Sequence, residues 1–166
     1  MTTIDIIILG ILQGITEFLP VSSSGHLVIV QYMLGIESPG NALEILFHVG
    51  TLFSVIFVFY KDIKLIVMSL NKKPSQVLVM HIITATVPAV IIGLTFKDYI
   101  NSVFSSIVPV GYALLFTGAV LILSINFKNK NKSLSYLYSI LIGLSQAMAI
   151  IPGISRSGTT ISISML

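Results

Sequence analysis

The chain has 166 residues, of which 55% are hydrophobic and only 9% charged, and its mean hydropathy is +1.01. That length suits one domain, but the polar residues are too few to cover a soluble surface, so the composition excludes a soluble globular protein and indicates an integral membrane protein. The net charge of +3 does not argue for nucleic acid, because the lysines cluster between apolar runs, and the absence of cysteine excludes disulfides, thiolate metal sites and cysteine nucleophiles.

The N-terminus carries Asp5 and no Lys or Arg ahead of its apolar run, so no cleaved signal peptide is expected. Residues 4 to 19 read as a helix too short to span a bilayer core comfortably, since a span takes about 20 residues. Ser22, Ser23, Ser24 and Gly25 then form a break, with Ser24 expected as the N-cap of a second short helix from His26 to about Leu34. Two short helices around a polar break form a re-entrant hairpin over residues 1–35, which membranes tolerate where it lines a cavity or is buried in protein. A surface turn follows at Gly35 to Asn41. Three spans are expected within 43–125: Leu43 to Tyr60, carrying Glu44 and His48; Val77 to Phe96, carrying His81 and a kink-prone Pro88; and Ile107 to Ile125. A fourth apolar segment, Leu134 to Ile151, runs into P-G-I-S-R-S-G-T-T and opens a second repeat over 134–166.

The loops at 61–74 and 126–133 hold Lys61, Lys64, Lys72, Lys73, Lys128, Lys130 and Lys132 against Asp62 alone, which places them on the cytoplasmic side. The turn with Glu37 and the balanced turn at Lys97 and Asp98 then face outward.

Sliding the sequence by 133 residues superposes Gly10 on Gly143, Gln13 on Gln146, Ser22 on Ser155, Ser24 on Ser157 and Gly25 on Gly158. All five identities are polar or glycine positions inside apolar sequence. Similar Gly/Ser breaks in unrelated membrane helices would be the bland explanation. Three spans between the copies make the second hairpin enter from the opposite face, so the expected fold is an all-α membrane protein with an inverted-topology repeat whose two breaks meet near the midplane. Two full copies of such a repeat require about 266 residues, so the second repeat is expected to be incomplete at Leu166.

The chemistry concentrates in the two breaks. Gln13 and Glu17 are an i,i+4 pair on one helical face, and a carboxylate in an apolar helix calls for a metal ion or a cationic partner, or else a purely structural pairing with Arg156. S-S-S-G-H and S-R-S-G-T-T both place small hydroxyl residues and a glycine at a helix N-terminus, where free N–H groups and the helix dipole bind anions. Arg156, the only arginine, can fork onto phosphate oxygens; its bland alternative is snorkelling to the interface. His26 is open to three roles: nucleophile, general acid or metal ligand. Ser22 and Ser23 are candidate nucleophiles or phosphate-binding hydroxyls. His48 and His81, on span helices outside the breaks, read as structural histidines, and the aromatics Phe53, Phe57, Phe59 and Tyr60 as lipid-facing or interfacial.

At these residues the chain closely resembles the undecaprenyl-diphosphate phosphatases, the bacitracin-resistance membrane phosphatases of bacteria. The first family motif, [EQ]-x-x-x-E followed by F-L-P-V-S-S-[ST]-G-H, matches Gln13 to His26, and the second, P-G-x-S-R-S-x-x-T, matches Pro152 to Thr160. The resemblance implies a hydrolase that converts a C55 polyprenyl diphosphate to its monophosphate at the outer side of the cytoplasmic membrane, recycling the lipid carrier of peptidoglycan synthesis. It implies a divalent cation, Mg2+ or Ca2+, held by Glu17 and Gln13, the latter standing where many members have a second anionic ligand. It further implies catalytic roles for Glu17, Ser23, His26 and Arg156, and phosphate binding by Ser22, Ser24, Gly25, Ser155, Ser157, Gly158 and Thr160. The partners are then the lipid diphosphate and membrane lipids, not nucleic acid, and a homo-oligomer stays open. The alternative class is an inverted-repeat transporter or flippase for an anionic lipid or solute, which uses Arg156 and the helix dipoles for binding but gives no special role to His26 beside a carboxylate.

Overall fold

The computed structural model describes residues 1–36, 42–126 and 135–165, so the expected turn at Gly35 to Asn41 and the lysines at 128, 130 and 132 lie largely or wholly outside the described residues. The described residues form nine α-helices: α1 (Thr3–Thr16), α2 (Ser23–Met33), α3 (Ala42–Val58), α4 (Tyr60–Met68), α5 (Lys73–Thr95), α6 (Lys97–Phe104), α7 (Ile107–Ser124), α8 (Tyr136–Met148) and α9 (Arg156–Ser164). The architecture is all-α. Of these helices, α5 and α7 are long and apolar enough to cross a membrane, and α3 with α4 makes a third candidate if the pair counts as one span. Most large apolar side chains on these helices are exposed, as expected for surfaces that face lipid.

Two of the three expected spans, Val77 to Phe96 and Ile107 to Ile125, are present with shifted ends as α5 and α7, the third, Leu43 to Tyr60, is long enough only if α3 is counted with α4, and two segments read as loops are helical. α3 stops at Val58 and the chain bends by 70° into α4. The lysine-rich stretch from 61 therefore begins as a helix in which Lys61, Asp62 and Lys64 alternate with Ile63, Leu65, Ile66, Val67 and Met68. The turn at Lys97 and Asp98 is the first turn of α6, because Ile100 and Val103, three residues apart, share one face and are buried together. In both cases a few charges at helix-compatible spacing were mistaken for a loop.

The short helices pack by close approach. α8 lies along α5, and a Cβ on Gly143 would stand 2.8 Å from the Ala85 carbonyl oxygen and 2.9 Å from Pro88 Cγ, so only glycine lets the two backbones meet there. His81 of α5 is buried and bonds Ser139 of α8 through Nδ1 at 2.8 Å, while its ring stacks obliquely on Tyr136 at 4.5 Å. The single Ser139 proton goes to the Ser135 carbonyl, so His81 is the donor, and its structural reading holds.

α2 starts three residues earlier than expected. Its N-cap is Ser22, not Ser24, and the Ser22 hydroxyl accepts from the Gly25 N–H. Ser22 is held at φ 66°, in the left-handed region, because its hydroxyl also serves the second break.

Candidate active site

The two breaks are in direct contact. The Gly153 N–H donates to Ser22 Oγ at 3.1 Å, and Ser157 Oγ donates to the Leu19 carbonyl at 3.2 Å. A Cβ on Gly25 would lie 2.8 Å from Gly153 Cα, so the hairpins cross backbone to backbone. Gly153 itself sits at φ +99°, a conformation that strains any L side chain. Local geometry repeats across the 133-residue shift: Ser155 caps α9 by accepting from the Gly158 N–H, as Ser22 caps α2 through Gly25, and each capping serine pairs with the hydroxyl two residues on, Ser24 at 3.4 Å and Ser157 at 3.3 Å. The shared Ser-x-x-Gly spacing builds two helix N-termini that meet at one place.

Between them opens a cavity of about 380 Å³, lined by Glu17, Ser22, Ser23, Ser24, His48, Ser155, Arg156, Ser157 and Thr160 among others. A second cavity of about 550 Å³ shares Glu17, Ser24, His48 and Arg156 with the first and continues along the apolar side chains Ile45, Val49, Leu52, Val55, Ile100 and Phe104. A charged, hydroxyl-rich chamber therefore adjoins a greasy one.

Glu17 Oε2 is the hub of the polar chamber. It accepts from Ser23 Oγ at 2.6 Å and from Gln13 Nε2 at 3.0 Å, and His48 Nε2 stands 3.3 Å away. Glu17 reaches this position from the C-cap of α1, one turn after Gln13, and Ser23 from the first turn of α2. The ionisable side chain beside Glu17 among the described residues is thus His48 rather than Arg156, which removes the structural Glu17–Arg156 pairing. Arg156 is exposed into the cavities, and Thr160 Oγ1 bonds its carbonyl at 2.7 Å. Arg156 stands 133 residues after Ser23, so the two breaks contribute a hydroxyl beside a carboxylate and a guanidinium.

The remaining expected site residues take other places. His26 is half-buried, its Nδ1 donates to the Ser22 carbonyl at 2.8 Å, and it lines neither cavity. Gly25 and Gly158 are buried at the crossing, where their N–H groups are taken by the capping serines. Gln13 is buried behind Glu17 and reaches Thr51 of α3 at 3.4 Å, while its Oε1 is buried without a partner. A half-turn of that amide would bring Oε1 to the Glu17 side. Among the described residues no three His, Cys, Asp or Glu side chains are placed to hold a metal ion together, so a cation here would draw on few protein ligands, as Mg2+ sites completed by phosphate and water do.

Two contributors escaped the sequence reading. His48 belongs to the site, and its signal was Glu44 and His48 one turn apart in a span, since ionisable residues at membrane depth mark function by default. Thr117 of α7 is buried at 3% exposure; its hydroxyl donates to the Gly153 carbonyl at 2.7 Å and accepts from the Ser155 N–H at 3.0 Å. Nothing in its apolar surroundings singled it out.

Fold and site define a multi-pass α-helical membrane protein in which two polar helix breaks enclose a hydroxyl, carboxylate and guanidinium chamber. The chain belongs to the bacitracin resistance protein BacA family, whose model matches residues 6–166. Relatives called undecaprenyl-diphosphatase are 44% identical in Halothermothrix orenii, across 100% of this chain and 64% of that protein, and 46% identical in Alkaliphilus metalliredigens, across 97% and 65%. A relative of the same name from Desulforapulum autotrophicum is 43% identical across 94% and 64%. The chain thus spans about 64% of the length of the curated relatives it matches.

Proposed function

We propose that this protein hydrolyses a long-chain polyprenyl diphosphate, of the C55 class, to the monophosphate and phosphate. The observation that carries the proposal is the 2.6 Å hydrogen bond from Ser23 Oγ to Glu17 Oε2 in a cavity that Arg156 also lines. A serine donating to a carboxylate is an activated nucleophile, and a transporter has no use for one. The diphosphate sits between the two helix N-termini with Arg156 forking onto its oxygens, and the prenyl chain follows the apolar cavity.

Ser23 Oγ attacks the terminal phosphorus. The Oγ–P bond forms, the bridging P–O bond breaks to release the lipid monophosphate, and the serine proton passes to Glu17 Oε2. Water then adds to the phosphoserine phosphorus, the Oγ–P bond breaks as Glu17 returns the proton to Oγ, and phosphate departs. A divalent cation, Mg2+ or Ca2+, would be held by Glu17 and Gln13 and would supply charge neutralisation to the diphosphate. The lysine-rich loops on the cytoplasmic side support a chamber that opens to the outer face of the cytoplasmic membrane, where the product re-enters the lipid-carrier cycle of peptidoglycan synthesis and confers bacitracin resistance.

The test is phosphate release from a long-chain prenyl diphosphate by the chain purified in detergent, alone and joined to the segment of the Halothermothrix orenii relative that it does not cover. Ser23→Ala, Glu17→Ala and Arg156→Ala are each expected to lower turnover by about 10²–10⁴-fold. An acid-stable phosphoenzyme is expected on Ser23; an acid-labile one lost in His26→Ala would transfer the attack to His26. Full turnover in all three variants would sink the assignment.

A further inference from the structure

We propose that His48 Nε2 is a protein ligand of the cation at this site, and that it shifts the site's preference from Mg2+ and Ca2+ toward borderline ions such as Mn2+. The inference rests on the cation proposed above. It starts from the His48 tautomer. Nδ1 lies 2.7 Å from the Glu44 carbonyl oxygen, which can only accept, so Nδ1 carries the proton. That bond fixes the ring so that Nε2 faces Glu17 Oε2, 3.3 Å away.

The spacing is that of two ligands on one ion: donors each about 2.1 Å from a common metal stand roughly 3 Å apart. Metal-binding histidines characteristically donate their other ring N–H to a backbone carbonyl, as His48 does to Glu44. A second, independent observation lies behind Glu17. Gln13 is 1% exposed and its Oε1 has no partner, although the amide already touches Glu17 and Thr51, and Thr51 in turn donates to the His48 carbonyl at 3.0 Å. A half-turn of that amide exchanges Nε2 for Oε1 against Glu17, and the unsatisfied oxygen would then join the carboxylate and Nε2 of His48 as donors to a cation. The imidazole nitrogen is the element that oxygen-only sites lack, and it favours first-row transition ions over Mg2+ and Ca2+. The other described histidines do not compete: His81 is buried against Ser139, and His26 lines neither cavity.

The experiment measures Mn2+ binding to the full purified chain by electron paramagnetic resonance, independently of turnover. Wild-type protein is expected to bind Mn2+ with a nitrogen hyperfine coupling that changes on labelling with 15N-histidine, which requires no variant. His48→Gln and His48→Ala, checked for an unchanged gel-filtration profile, are expected to raise the Mn2+ Kd by about 10–100-fold and to abolish the coupling. His26→Ala is expected to retain it. Mn2+ bound without histidine coupling, or an unchanged Kd in both His48 variants, would overturn the role of His48 while leaving the phosphatase proposal intact. Failure of the wild-type chain to bind Mn2+, together with phosphate release in the presence of a chelator, would overturn the cation and His48 alike.

Discussion

Thr117 stands on α7, outside both motifs, yet its one hydroxyl holds the turn that presents Ser155 and Arg156. Thr117→Val keeps the shape and removes both bonds, leaving the buried Ser155 N–H and Gly153 carbonyl without that partner, a loss of about 1–3 kcal/mol. Phosphate release is expected to fall more than the melting temperature would suggest, and Thr117→Ser, which restores the hydroxyl, is expected to recover it. Equal turnover in the valine and serine variants would show that the hydroxyl does not position the second break. Such a residue was illegible in the sequence because a threonine in an apolar helix usually bonds its own preceding turn, as Thr84 and Thr86 do on α5. Ser23 and Glu17 were legible, because polar groups amid apolar residues imply a task at membrane depth.

At the scale of elements, the hairpins are held together by the absence of side chains. Gly25→Ala would place a methyl group 2.8 Å from Gly153 Cα and 3.0 Å from Leu114 Cδ2. Backbone cannot yield as a flexible side chain can, so the substitution is expected to destabilise the protein by about 1–3 kcal/mol and to lower Tm in detergent. An unchanged Tm would mean that the breaks do not touch in solution. Ser-x-x-Gly recurs in the sequence at a 133-residue spacing, and the structure gives the spacing its meaning, since each serine caps a helix through the glycine three residues on. The misread N-cap has the same cause. Ser22 outcompetes Ser24 because it also accepts from Gly153, a contact 131 residues away that no local rule contains.

For the whole molecule, the arrangement of lysines makes a topological prediction that the cysteine-free sequence makes easy to check. A single cysteine introduced as Lys72→Cys is expected to react with a membrane-impermeant maleimide only from the cytoplasmic side, and Lys97→Cys only from outside. Labelling of both from one side would contradict the orientation and, with it, a chamber that opens outward. By itself, the amino-acid sequence determined that the protein is a helical membrane protein, where its two polar breaks fall, and which carboxylate, serines and arginine populate them, because hydropathy and the desolvation penalty of polar groups act locally along the chain. Only the tertiary structure decided that Ser23 donates to Glu17, that His48 joins them, that His26 turns to the Ser22 carbonyl and that Thr117 braces the second break. These contacts join residues brought together by helix packing, and a hydrogen bond depends on tenths of an ångström that residue spacing alone does not specify.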